Sequence, residues 1–168
     1  MKNTLIAIPT YNEVENVELL YLKIKELKIN ADILFIDDNS PDHTANVIKK
    51  IRSGDKSVIL MSRKEKMGIG SAHLFGIEFA YRNGYKTLVT MDSDFTHSPK
   101  DIIKLLDKLG QADIVVGSRY LSSNSLSSWN IFRKTLTLTA HFLTKKLLKM
   151  PYDATSAFRL YNLDKIPK

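Results

Sequence analysis

Leu5-Ile6-Ala7-Ile8-Pro9-Thr10-Tyr11-Asn12-Glu13 opens the chain with four apolar residues that give way at once to turn-forming ones, and Ile33-Leu34-Phe35-Ile36-Asp37-Asp38 repeats the arrangement. Short apolar runs without alternation read as strands covered on both faces. Working outward, Val58 to Met61, Thr87 to Met91 and Ile114 to Val116 have the same character. Between these runs the apolar residues take helical spacing, as in Val17, Leu20, Tyr21, Ile24 and Leu27, and again in Ala72, Phe75, Gly76, Phe79 and Ala80. Helix starts are expected at Asn12 with Glu15, at Ser40 with Pro41, and at Ser98, Pro99 and Asp101. Alternating strands and helices from residue 5 to about 117 require a mostly parallel, Rossmann-like α/β sheet with helices on both faces.

The chain of 168 residues is expected to form one domain. Hydrophobic residues at 43% and charged residues at 26% exclude a mainly disordered or low-complexity chain. Cysteine is absent, which removes disulfides, thiolate nucleophiles and cysteine metal sites and agrees with a cytoplasmic setting. The formal charge of +7 favours anionic partners. Nucleic acid is not expected among them, because neither an aromatic RNA motif nor a helix-turn-helix is present. No run approaches the length of a membrane span, and Pro9 closes the first apolar run too early for a signal sequence. Residues 118–168 differ in character: a serine-rich stretch, 122–128, precedes a basic amphipathic segment from Trp129 to Met150, and Ala157 to Tyr161 reads as one more strand.

Acidic side chains collect after the strands: Glu13 after the first, Asp37 and Asp38 after the second, Asp92 and Asp94 after the fourth. With strand order 3-2-1-4 the ligand crevice lies beyond the carboxyl ends of strands one and four, so these distant residues share a cleft. Clustered carboxylates repel unless a cation is present, and oxygen ligands favour Mg2+ or Mn2+. In an extended strand end, alternate residues face one way, which would point Asp92 and Asp94 at one ion; a capping role for each is the competing reading. Asp37 or Asp38 could receive a nucleobase or ribose, or cap the next helix. Gly68-Ile69-Gly70 is no dinucleotide fingerprint, since it follows Arg63, Lys64 and Lys66 rather than the first strand; it reads either as a phosphate loop entering a helix or as a solvated loop.

Six strings in order, namely 8–13, 36–40, 66–72, 91–94 with His97 and Pro99, 116–120 and 153–159, resemble the polyprenol-phosphate (dolichol-phosphate) mannose synthases, family 2 glycosyltransferases with the GT-A fold. The resemblance implies an inverting, metal-dependent transfer of mannose from GDP-mannose to a polyprenyl phosphate. It implies that Pro9, Tyr11 and Glu13 line the nucleotide site with Asp38 at the base, beside Asp37 and Lys66. Asp92 and Asp94 would hold the metal, helped by Thr96. Arg119, Arg133 and Thr137 would meet the acceptor phosphate, and Ser156 and Arg159 would stand near the reacting groups. Residues 1–117 become a nucleotide-sugar-binding half and 118–168 an acceptor-side region. The basic segment gains a role at a peripheral membrane surface on the cytoplasmic face. Ala157 departs from the family's usual glycine, Thr137 from a common serine, and relatives continue past Lys168, so the chain reads as C-terminally short or truncated, with a homodimer or a membrane-protein partner as possible complements. A transferase using UDP-glucose or another sugar nucleotide, and a catalytically idle nucleotide-sugar-binding module, are the alternatives.

Overall fold

The computed structural model describes residues 2–118, 139, 142, 144, 146, 149, 153 and 156–167. In chain order the elements are β1 (Thr4–Thr10), α1 (Val17–Glu26), β2 (Ala31–Asp37), α2 (Thr44–Gly54), β3 (Val58–Ser62), α3 (Ile69–Arg82), β4 (Thr87–Thr90), α4 (Asp101–Leu106), β5 (Ile114–Val116) and β6 (Arg159–Asn162). Among the described residues they build a six-stranded sheet in the order β3-β2-β1-β4-β6-β5. The first four strands are parallel, in the register Ile6↔Ile33 and Ile6↔Val89. β6 returns antiparallel to β4, with Thr90 opposite Arg159, and β5 pairs antiparallel with β6.

Side chains alternate across a strand, so each apolar run feeds two cores. Ile6, Ile8, Ile33, Phe35, Val89 and Met91 pack against α1, α2 and α4 through Val17, Leu20, Ile24, Ile48, Ile102 and Leu105. Their neighbours Leu5, Ala7, Leu34, Ile36 and Leu88 face α3, which contributes Ala72 and Ala80. Gly76 lets α3 lie close on the sheet: a Cβ there would stand 3.1 Å from that of Ala7. The expected α/β sheet with helices on both faces is therefore present, and the strand order around β1 is the expected 3-2-1-4.

Three local expectations need correction. Ile114–Val116 is a strand but not a buried one: β6 inserts between it and β4, leaving β5 at the sheet edge with Ile114 44% exposed. β3 is the opposite edge, and only Val58 in it is buried. α1 begins at Val17 and α2 at Thr44, each four residues or so beyond the expected start, because Asn12 and Ser40 belong to loops. Asn12 has φ 59° and the Glu13 carbonyl accepts the Asn16 and Val17 amides at 3.0 and 3.1 Å. Among the described residues no helix is long and apolar enough to cross a membrane. Most of the basic segment from Trp129 to Met150 lies outside the described residues; within it, Lys146 Nζ stands 4.9 Å over the Phe142 ring.

Candidate active site

The loops after β1 and β2 are laced together. Consecutive amides of Asn12, Glu13 and Val14 donate to Ser40 Oγ (3.1 Å), Thr44 Oγ1 (3.0 Å) and Asp42 Oδ2 (3.0 Å). Asp42 Oδ1 also accepts the Thr44 amide at 3.0 Å, capping α2. Burial pushes the Asp42 carboxyl up, but the Thr44 hydroxyl and the Val14 and Thr44 amides outweigh it and hold the group below the usual carboxylate range. Asp37, 1% exposed, accepts from Thr10 Oγ1 (3.2 Å), the Ser40 amide (3.1 Å) and Ser40 Oγ (2.5 Å). Its carboxylate holds the base of these loops together, short of the α2 start that the capping alternative gave it.

A cleft of about 360 Å3 opens above this floor, beyond the carboxyl ends of β1 and β4. Pro9, Tyr11, Glu13, Asp38, Lys66, Asp92 and Asp94 all line it, so these nucleotide and metal candidates from four separate loops are brought together, while Asp37 and Thr96 are not among the lining residues. Lys66 Nζ lies 3.9 Å over the Tyr11 ring, a cation–π contact across the mouth. Asn16 Nδ2 donates to Glu13 Oε2 at 2.7 Å and aims that carboxylate. Met67's amide donates to Asp38 Oδ2 at 3.1 Å, and the Arg63 guanidinium pairs with Asp38 Oδ1. The first turn of α3 supplies Gly68, Ile69 and Ala72 to the wall, with Gly68 at φ 85°. A helix N-terminus at this point favours phosphate.

β4 ends at Thr90, so Asp92 and Asp94 face the cleft from a bend and not, as expected, from a pleated strand end. The bend is fixed on both sides. Ser93 Oγ donates to the Pro9 carbonyl at 3.3 Å, bridging the crevice floor, and the Thr96 amide donates to Asp94 Oδ1 at 2.9 Å. Phe95 takes φ 58° and sets its ring against the core. Thr96 thus orients Asp94 through its backbone, and its side chain is not part of the cleft lining.

Ser156 and Arg159 occupy the entry to β6 and are not among the cleft-lining residues. Ser156, 2% exposed, donates its hydroxyl proton to the Gly117 carbonyl at 2.7 Å and accepts the Phe158 amide at 3.2 Å. Arg159 Nε donates to the Ser156 carbonyl at 2.8 Å. His97 stacks on Phe158 with ring centroids 4.9 Å apart. On α3, both ring nitrogens of His73 are buried without a hydrogen-bond partner among the described residues. Burial, followed by the nearby Arg159 charge, lowers the His73 pKa from its ordinary value and keeps the ring neutral. Arg119, Arg133 and Thr137 lie outside the described residues.

Thr10, Ser93 and the Arg63 pairing were not singled out by sequence reasoning, which placed Arg63 only in a basic loop; the loop entering α3 was. Serine and threonine at loop ends are too common to signal a cleft, and an ion pair between residues 38 and 63 has no local signature.

Glu13, Asp92 and Asp94 give the cleft an acidic lining, while Lys66 stacks on Tyr11 and Arg63 is held by Asp38. Such a lining receives an anion only with a cation. Among the described residues no three His, Asp or Glu side chains stand close enough to hold a metal. Two carboxylates suffice for Mg2+ or Mn2+ when substrate phosphates complete the coordination, so Asp92 and Asp94 fit an ion that arrives with a diphosphate.

The family model described as Glycosyl transferase family 2 matches residues 5–166. The chain is 35% identical over 170 residues to the polyprenol monophosphomannose synthase of Mycolicibacterium smegmatis, covering 99% of this chain and 64% of that protein. It is 32% identical over 161 residues to the undecaprenyl-phosphate mannosyltransferase of Micrococcus luteus, covering 95% of this chain and 66% of that one. It therefore spans about two thirds of the length of these curated relatives. The fold is similar to a mannosyltransferase from Pyrobaculum calidifontis solved with GDP-Man and Mn2+ (TM-score 0.57, 18% identity, 70% of this chain and 35% of that one). It is also similar to the bifunctional glycosyltransferase WbbM (TM-score 0.57, 16% identity, 96% of this chain and 32% of that one). With a GT-A sheet, its acidic cleft at the β1/β4 switch point, and a match running through nearly the whole sequence, the chain belongs to glycosyl transferase family 2.

Proposed function

We propose that this chain carries the donor site of an inverting transferase that moves mannose from GDP-mannose to a polyprenyl phosphate, 1–117 binding the nucleotide sugar and 118–168 belonging to the acceptor side. The observation that carries the reading is the convergence of Tyr11, Glu13, Asp38, Asp92 and Asp94 on one cleft from the β1, β2 and β4 loops. The names of the two relatives supply the sugar and the acceptor class.

Tyr11, Glu13 and Asp38 would bracket the nucleoside, with the diphosphate between the α3 N-terminus and the Asp92–Asp94 bend. Asp92 and Asp94 would hold Mg2+ or Mn2+, which when bound neutralises charge on the departing diphosphate. The amide of Thr96 keeps Asp94 turned to its task, and Ser93 ties that bend to Pro9 on the opposite wall. A polyprenyl phosphate is already anionic at neutral pH, so attack at the sugar needs positioning more than a strong base. Displacement from the face opposite the diphosphate inverts the anomeric centre in one step without a carboxylate nucleophile. Arg119, Arg133 and Thr137 would meet the acceptor phosphate; the segment carrying them would bring the lipid from a membrane surface.

Incubation with radiolabelled GDP-mannose and a short polyprenyl phosphate is expected to yield labelled lipid. Asp94→Ala should lower the rate by about 10²-fold or more, the scale of losing one transition-state charge stabiliser. Equal product from both proteins would contradict the role given to Asp94. In parallel, thermal shift with GDP and UDP in the presence of Mn2+ should favour GDP.

A further inference from the structure

Asp38 is the residue expected at the nucleobase, yet Arg63 and the Met67 amide engage both its oxygens. Arg63 reaches further than this one partner. Its Nη1 donates to Ser71 Oγ at 2.7 Å and its Nη2 to the Gly68 carbonyl at 3.2 Å. Ser71 Oγ in turn lies 2.8 and 2.9 Å from the Gly68 and Met67 carbonyls. The Asp38 and Arg63 side chains are only 7% and 9% exposed, so the pair is sheltered from solvent screening. One planar guanidinium therefore joins the end of β2 to the loop 67–68 and the first turn of α3.

Asp38 and Gly68 line the cleft, whereas Arg63 does not. Arg63 must then act through the groups it holds. Resting on the donor-site reading above, we infer that Arg63 is a positioning residue for the nucleoside diphosphate. It sets the gap between the nucleoside wall at Asp38 and the phosphate-facing start of α3, and the loop it fixes carries Lys66 to its place over Tyr11. Only arginine supplies donors in a fork able to serve a carboxylate, a hydroxyl and a carbonyl together.

The experiment is isothermal titration of GDP with Mn2+ into wild type, Arg63→Lys, Arg63→Met and Ser71→Ala, with thermal melts and donor kinetics on each. Arg63→Met is expected to raise the GDP Kd and the donor KM about tenfold or more while kcat at saturating donor stays within about threefold, the signature of a displaced binding wall. Arg63→Lys should restore part of the melting temperature through its charge but not the Kd. Ser71→Ala, which leaves the buried pair intact, should raise Kd about threefold with a near-native melt. Variants that melt lower yet bind GDP within twofold of wild type would reduce Arg63 to a stabilising residue and overturn the inference. If wild type itself binds no nucleoside diphosphate, the donor-site reading fails first and the inference with it; wild-type binding matched by Ser71→Ala and Arg63→Lys sinks the inference alone.

Discussion

At the scale of single residues, Gly117 and His73 are understood only through their neighbours. A Cβ on Gly117 would lie 2.3 Å from Phe158 Cδ1, and Phe158 is buried at 1% exposure under the His97 ring. Gly117→Ala is expected to cost about 1–3 kcal/mol through overpacking, read as a lower denaturation midpoint in urea; an unchanged midpoint would show that Phe158 yields freely. His73 sits neutral against Arg159, its pKa depressed first by burial. The unfolded chain then takes up a proton before the folded one as pH falls below about 6.5, so stability is full above that pH and declines beneath it. The melting temperature of wild type should fall from pH 7 to pH 5 more steeply than that of His73→Gln; parallel curves would argue against a buried neutral ring. Of the cleft residues, Glu13, Asp38, Asp92 and Asp94 were legible as acids at strand ends that point to one crevice, Lys66 as part of the basic loop before α3, and Pro9 and Tyr11 only through the family resemblance. Asp37 and Asp38 could not be told apart by sequence: adjacent in the chain, they alternate in direction, and only the fold gives one to Ser40 and the other to Arg63.

At the scale of elements, the strands were legible as apolar runs and their edges were not. Ile114–Val116 has the composition of a central strand, but the return of β6 from a sequence-distant segment decides that it lies outside. The helix starts were misplaced for a related reason. Ser40 has the side chain of a cap but spends its Oγ on the Asn12 amide in the neighbouring loop, while Asp42 serves both Val14 and Thr44. This lacing is how α2 fixes the backbone from which Tyr11 and Glu13 face the cleft. Asp42→Ala should cost about 1–2 kcal/mol, the upper range for a lost cap, since a second amide is also left without its acceptor. Chemical denaturation checks the figure, and GDP affinity should fall alongside it. Loss of stability with wild-type GDP affinity would show that the two loops hold their shape independently.

At the scale of the whole molecule, every described residue lining the cleft lies from Pro9 to Asp94 and so within the half read from sequence as nucleotide-binding. Long-range order around β1 was legible because parallel strands with right-handed crossovers leave few arrangements. The acceptor side was legible only as motifs, since its three basic and hydroxyl candidates lie outside the described residues. The central claim concerns charge: an acidic crevice receives a nucleoside diphosphate only together with a divalent cation. Titration of GDP into wild-type protein with Mn2+ and again with EDTA tests it most directly. Binding is expected to be at least about tenfold tighter with Mn2+, a difference of about 1.4 kcal/mol, and Asp92→Asn with Asp94→Asn should erase it. Equal affinity with Mn2+ and with EDTA in the wild type would contradict the claim.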